Sequence, residues 1–176
     1  MKGRHKHILV TGSPGSGKTT VIVRLASLLA EVQPAGFYTE EIRENGERQG
    51  FRLVSLDGKE GILAHVSYRG QGRVGRYGVD VAGFEKFLSQ LQLPSVPSQV
   101  VIIDEIGKME SLCPAFNGMM RELLESRKVI VATVALKGEG LIKEVKGRND
   151  CRLVEVTHSN RDSLPDELAE WVHSRL

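Results

Sequence analysis

The chain has 176 residues, a length that suits one domain with a single core. With 40% hydrophobic and 26% charged residues it has the composition of an ordinary soluble globular protein, and a formal charge of +2 is too small to mark a nucleic-acid or membrane-surface partner. Lys2, Arg4 and Lys6 precede only the short apolar run Ile8-Leu9-Val10, which is too brief for a signal-peptide core or a membrane span, so a cytoplasmic location is expected.

Ile8-Leu9-Val10 ends in a glycine loop and reads as a buried strand. Val21, Ile22, Leu25, Leu28 and Leu29 then fall at helical spacing, giving strand, loop and helix in succession. Pro34-Ala35-Gly36 breaks the chain. Phe37 to Ile42 and Phe51 to Leu56 are strand-like stretches on either side of Asn45-Gly46, a pair that tolerates the positive φ angles of a type I′ turn, so an antiparallel hairpin is predicted. Asp57 to Gly78 is polar and glycine-rich and is expected to be loop, with a short strand around Ile62-Leu63. Val81, Phe84, Leu88 and Leu91 mark an amphipathic helix.

Val100-Val101-Ile102-Ile103 is the strongest strand signal in the chain, because four consecutive β-branched residues imply burial on both faces of a parallel sheet. Phe116, Met119, Met120, Leu123 and Leu124 line one helix face, Val129 to Val134 returns to strand, and a short helix is expected around Leu141 to Lys146. A strand at Leu153 to Val156 precedes a last helix, for which Ser163 and Asp166 form a capping-box pattern. Strands alternating with helices predict a single α/β domain over residues 1–176. Cys113 and Cys151 fit no metal-ligand spacing, and buried thiols are favoured over a disulfide.

Gly12-Ser13-Pro14-Gly15-Ser16-Gly17-Lys18-Thr19 matches G-x-x-x-x-G-K-T, the phosphate loop, and stands between the first strand and first helix as that motif requires. Its glycines let backbone N–H groups converge on β- and γ-phosphate oxygens, and the following helix turns its positive dipole end toward them. Lys18 can reach the same phosphates and the Thr19 hydroxyl can ligate Mg²⁺. Asp104-Glu105 ends the buried strand, where ligands of open α/β sheets sit. Asp104 is assigned with Thr19 to the metal, and Glu105 to a water that attacks the γ-phosphate. Arg73, Arg76, Arg148 and Arg161 are candidates for a cation on that phosphate, and Lys108 lies near enough in sequence to pair with Glu105 or Glu110. There is no N-K-x-D stretch, and Phe37, Tyr38 and Tyr77 are better explained by core packing than by base stacking, so loose base selectivity is expected.

Four runs occur in order between Ile8 and about Arg161: Gly12 to Thr20, Gly36-Phe37-Tyr38-Thr39-Glu40-Glu41, Arg73-Val74-Gly75-Arg76-Tyr77 and Asp104-Glu105-Ile106-Gly107-Lys108-Met109-Glu110. Together they resemble the small P-loop nucleoside-triphosphatase family, which includes the human cancer-related nucleoside triphosphatase and thermophilic prokaryotic relatives. The resemblance implies a P-loop NTPase fold of the RecA-like kind, with a mostly parallel central sheet flanked by helices. It implies Mg²⁺-dependent hydrolysis of ATP, GTP and other nucleoside triphosphates to diphosphate and phosphate. It also implies nucleotide contacts at Gly12, Ser13, Pro14, Gly15, Ser16, Gly17, Lys18, Thr19 and Thr20, and along Val100, Val101, Ile102, Ile103, Asp104, Glu105, Ile106 and Gly107. Arg148 and Arg161 match family arginines, and Lys18, Glu105 and Arg148 form the expected catalytic set.

Nucleoside triphosphates are thus the expected partners of a monomer, with neither nucleic acid nor membrane. Two other functions would use the same cradle. A small nucleoside or nucleotide kinase would need a lid, for which the loop Gly138 to Asp150 with Arg148 is the candidate; a nucleotide-dependent switch would act on a partner.

Overall fold

The structure, a computed structural model, describes residues 5–176, so Lys2 and Arg4 of the basic N-terminal run lie outside it. Its strands are β1 (His7–Thr11), β2 (Ala35–Glu44), β3 (Glu47–Ser55), β4 (Glu60–His65), β5 (Gly72–Val74), β6 (Tyr77–Val79), β7 (Val100–Ile106), β8 (Val129–Val134) and β9 (Cys151–Glu155). Its helices are α1 (Lys18–Leu28), α2 (Val81–Leu91), α3 (Pro114–Glu125), α4 (Leu141–Lys146) and α5 (Leu164–His173). All nine strands join in one sheet, in the order β5-β6-β4-β3-β2-β7-β8-β1-β9.

The strands β2, β7, β8, β1 and β9 pair in parallel. β8 lies between β1, which ends in the glycine loop, and β7, which ends in the acidic pair, in accord with the RecA-like order. Val100 and Ile102 enter a core beneath α1 and α5, while Val101 and Ile103 enter a second core beneath α2, α3 and α4. All four are fully buried, which is why this strand is β-branched at successive positions instead of alternating with polar residues.

From β2 the sheet continues antiparallel through β3, β4, β6 and β5. Asn45 and Gly46, with φ of 50° and 80°, make the turn that the sequence predicts. Asp57 to Gly78 departs from expectation, since it holds β4, β5 and β6 instead of one short strand in a loop. The sheet therefore has as many antiparallel as parallel pairings, not mostly parallel ones. These strands are too short to show alternation, and glycine occupies them where a neighbour crowds in: a Cβ on Gly78 would strike the backbone of Tyr68, and one on Gly61 would lie 3.3 Å from the Phe87 ring.

The capping box at Ser163 does not form. The Ser163 hydroxyl donates to Glu167 Oε1 at 2.9 Å, with the Asn160 carbonyl 3.3 Å away as the alternative acceptor, instead of accepting from the helix. Ser163 already has helical backbone angles, and Leu164 N–H bonds the Asn160 carbonyl, so the preceding turn does the work of a cap. Both cysteines are free thiols, Cys113 buried and Cys151 half-buried, and burial pushes the Cys151 thiol up to about 12. Among the described residues no helix is long and apolar enough to cross a membrane.

Candidate functional site

The glycine loop joins the end of β1 to the first turn of α1. Gly17, at φ 101°, turns the chain into the helix in a conformation that other residues rarely adopt. At Gly12 a Cβ would stand 2.6 Å from Ser16 Oγ and 3.0 Å from the Val156 carbonyl, so the loop can lie against its own inner turn and against the chain leaving β9 only with glycine here. Lys18 Nζ donates to the Gly12 carbonyl at 2.8 Å, which places the ammonium over the loop. The hydroxyls of Thr11 and Ser16 are buried without a protein partner, and such groups are normally satisfied, so both are free to bond an anion held in the cradle.

Asp104 lies across from Thr19 and is 2% exposed. Its Oδ2 accepts from Thr19 Oγ1 at 2.7 Å and its Oδ1 accepts from Thr133 Oγ1 at 2.5 Å. Burial raises the Asp104 carboxyl above its ordinary range, opposed by the two threonine hydroxyls, by the nearby Thr39 amide and by Lys18. Thr19 and Asp104 thereby present two hard oxygen donors side by side. Mg²⁺ takes one or two protein oxygens and completes its shell with phosphate and water, so this pair fits it. Among the described residues no group of three or more His, Cys, Asp or Glu is placed to cage a metal.

Glu105 is half-buried beside Asp104, and the peptide joining the two is cis. Burial and then the Asp104 charge raise its carboxyl, against the pull of Lys18. Glu110, on the short 3₁₀ turn Glu110–Leu112 after β7, is 5% exposed. Its carboxyl is held well above the usual range by burial and then by the Glu105 charge. Lys108 is exposed and pairs with neither of them. Of the expected nucleotide contacts on β7, Val100 to Ile103 and Ile106 have their side chains wholly inside the two cores, and Asp104 meets the cradle through Thr19.

The arginines are corrected by the direction of the strands. Arg148 precedes β9, and Cys151 pairs with His7 at the start of β1, so Arg148 sits at the opposite end of the parallel strands from the phosphate loop. β1 alone separates the two ends by about 16 Å at ~3.3 Å per residue. There Arg148 donates to Asp150 at 2.8 and 2.9 Å and to Glu125 at 2.7 Å, a structural clamp and not a phosphate contact. The kinase lid loses its arginine for the same reason. Arg76 donates to the Arg48 carbonyl and lies over the Tyr77 ring at 5.3 Å, and Arg73 donates to the Arg76 carbonyl at 2.8 Å, so both serve the outer strands β5 and β6.

Arg161 follows β9 and lies beside the cradle. Its Cδ is 3.7 Å from the point where a Cβ on Gly17 would stand. The turn that presents it is locked by Asn160, whose Oδ1 accepts from Thr157 N–H and whose Nδ2 donates to the Glu155 carbonyl, both at 2.8 Å. Phe37 is fully buried edge-on to Phe84 and Phe87, and Tyr77 takes a hydrogen bond from Arg48, so neither ring is free to stack on a base. A cavity of about 630 Å³ opens near Ala35 and Gln99, at the amino-terminal ends of β2 and β7, away from all these groups.

A family model described as "NTPase" matches residues 7–169. The chain is 40% identical over 162 residues to the nucleoside-triphosphatase THEP1 of Thermotoga maritima, covering 92% of each. It is 37% identical to the human cancer-related nucleoside-triphosphatase, covering 96% of this chain and 97% of that one. Among solved structures, the THEP1 crystal structure from Aquifex aeolicus superimposes with a TM-score of 0.85 at 31% identity over 94% of this chain and 98% of that one. The solution structure of the human protein gives 0.78 at 37% identity over 96% and 98%. With its sequence matched nearly end to end and its sheet shared with both solved relatives, the chain belongs to the NTPase family, whose named members are nucleoside-triphosphatases.

Proposed function

We propose that this protein is a Mg²⁺-dependent nucleoside-triphosphate phosphatase that hydrolyses ATP, GTP and other nucleoside triphosphates to diphosphate and phosphate with loose base selectivity. The observation that carries this reading is the 2.7 Å bond between Thr19 and Asp104 at the mouth of the glycine loop, with Glu105 as the next residue. Thr19 and Asp104 would hold Mg²⁺, which when bound neutralises charge on the β- and γ-phosphate oxygens. The loop N–H groups from Gly12 to Thr20 bind those oxygens, and Lys18 moves from the Gly12 carbonyl onto them. Glu105 accepts a proton from the water whose oxygen bonds to the γ-phosphorus as the bond to the β–γ bridging oxygen breaks, and the leaving diphosphate keeps that electron pair. Arg161, in place of Arg148, is assigned to the phosphates on the Gly17 side. Loose base selectivity is supported by the engagement of Phe37 and Tyr77 in packing.

The test is a panel of phosphate-release assays on ATP, GTP, CTP and UTP, with and without Mg²⁺ and without any acceptor. The expected result is diphosphate and phosphate from every triphosphate, with kcat/KM values within about tenfold of one another, since no base-edge contact is assigned, and loss of activity on chelation. Phosphate transfer only in the presence of a nucleoside or nucleotide acceptor would replace this reading by a kinase.

A further inference from the structure

The roles above leave one buried ionisable group unused, Glu110. Among the described residues no Lys or Arg forms an ion pair with it, and burial and the carboxylates of Glu105 and Asp104 raise its carboxyl. Glu110 Oε2 lies 2.7 Å from the point where a Cβ on Gly107 would stand, and Glu105 Oε1 lies 2.6 Å from that same point. The two side chains thus converge over an α-carbon that carries only hydrogen. Among the described residues nothing hydrogen-bonds the Glu105 side chain, and burial, Asp104 and Lys18 act on it.

A carboxylate that must meet a water in one place cannot be left to wander through its rotamers, because misplacement of about 1 Å costs ~10²-fold in rate. Two carboxyls converging in a dry pocket do not both ionise. Glu110 is 5% exposed and Glu105 only half-buried, so the more deeply buried Glu110 keeps the proton. A protonated carboxyl has one O–H to donate, and donation to a carboxylate is the strong, charge-assisted kind.

We propose that Glu110 is a positioning residue for Glu105: its O–H donates to the Glu105 carboxylate across Gly107, directly or through one water, and fixes that carboxylate toward the cradle. The proposal rests on the reading of Glu105 as the base.

The test uses the full chain and steady-state phosphate release, with a melting temperature for every variant. Glu110→Gln keeps the shape and supplies an N–H donor, whereas Glu110→Met keeps the length and supplies none. Gln is expected to retain kcat within about threefold, and Met to lose at least about tenfold in kcat with KM within about twofold. Met should keep or raise the melting temperature, because a buried polar group is replaced by an apolar one. In a Glu105→Gln background, Glu110→Met should cost nothing further. A Met variant with wild-type kcat, or an additive loss in the double variant, overturns the proposal. If Met does not fold, the Gln variant decides alone: a wild-type melting temperature with kcat down by more than about tenfold overturns it. Unchanged turnover in Glu105→Gln by itself overturns the base reading, and is thereby told apart from a failure of Glu110.

Discussion

Thr19 donates its hydroxyl hydrogen bond to Oδ2 of Asp104 at 2.7 Å, and this one bond joins the first turn of α1 to the end of β7. The phosphate loop and the acidic strand are 85 residues apart in the chain and meet here. If the pair holds Mg²⁺, Asp104→Asn keeps the shape and removes the charge. The Mg²⁺ concentration for half-maximal phosphate release should rise at least about tenfold. A titration that overlays the wild type would remove Asp104 from the metal.

Lys18 and Glu105 should separate binding from chemistry. Lys18→Ala is expected to weaken triphosphate binding and turnover together, since its charge faces the phosphates before and during reaction. Glu105→Gln should leave the nucleotide Kd within a few-fold and cut kcat by at least about a hundredfold, as for loss of a general base. Equilibrium binding of a non-hydrolysable triphosphate, measured beside turnover, distinguishes the two. Weak binding in Glu105→Gln would count against its assignment to the water.

The two family arginines are expected to behave oppositely. Arg161→Ala should lower kcat/KM about tenfold or more with little change in melting temperature, because its side chain passes beside Gly17 at the cradle. Arg148→Ala should leave kcat/KM near wild type and lower stability by about 1 kcal/mol, the scale of a partly exposed ion-pair network. Kinetics and thermal melts on the same preparations decide. A catalytic defect in Arg148→Ala with Arg161→Ala unaffected would reverse the assignment.

The phosphate loop was legible because its function is written in contiguous residue types: glycines for the bend, then lysine and threonine at the helix start. β7 was equally open to reading, since four β-branched residues in a row have few other uses. The arginines were not legible from residue type, but topology held a signal. Ligands gather at the carboxyl ends of parallel strands, so an arginine after β9 is favoured over one before it. The wing from β4 to β6 escaped because strands of three to six residues with glycine at crowded points carry no period. Glu110 reads in the sequence only as a partner for Lys108, because the 3₁₀ turn that folds it inward leaves no mark in hydrophobic spacing.

At the end opposite the cradle, His7 is fully buried and its tautomer is fixed. Ile130 N–H donates to Nδ1 at 3.2 Å, so Nε2 carries the hydrogen and donates to the Leu124 carbonyl at 3.0 Å. Burial lowers its pKa below 6.5, outweighing the Leu124 carbonyl and Asp150, which favour the proton. The unfolded chain therefore binds a proton that the folded one refuses, and the stabilisation is complete above about pH 6.5 and declines as pH falls through it toward the lower folded value. The carboxyls of Asp104, Glu105 and Glu110, raised by burial, act with the opposite sign, so a comparison with His7→Gln isolates the histidine. Denaturation midpoints from pH 8 to pH 5.5 should show the gap between wild type and variant narrowing below about 6.5. A constant gap would refute the assignment.

Asp104 also binds more than the site. It accepts from Thr19 on α1 and from Thr133 on β8, and the Thr39 amide that favours its charge belongs to β2, the strand from which the antiparallel wing begins. One carboxylate is thus the knot between the catalytic half of the sheet and its wing. Whatever draws Asp104 toward a ligand must also pull on the hydroxyl of Thr133, so a central strand that carries no catalytic group feels the state of the cradle.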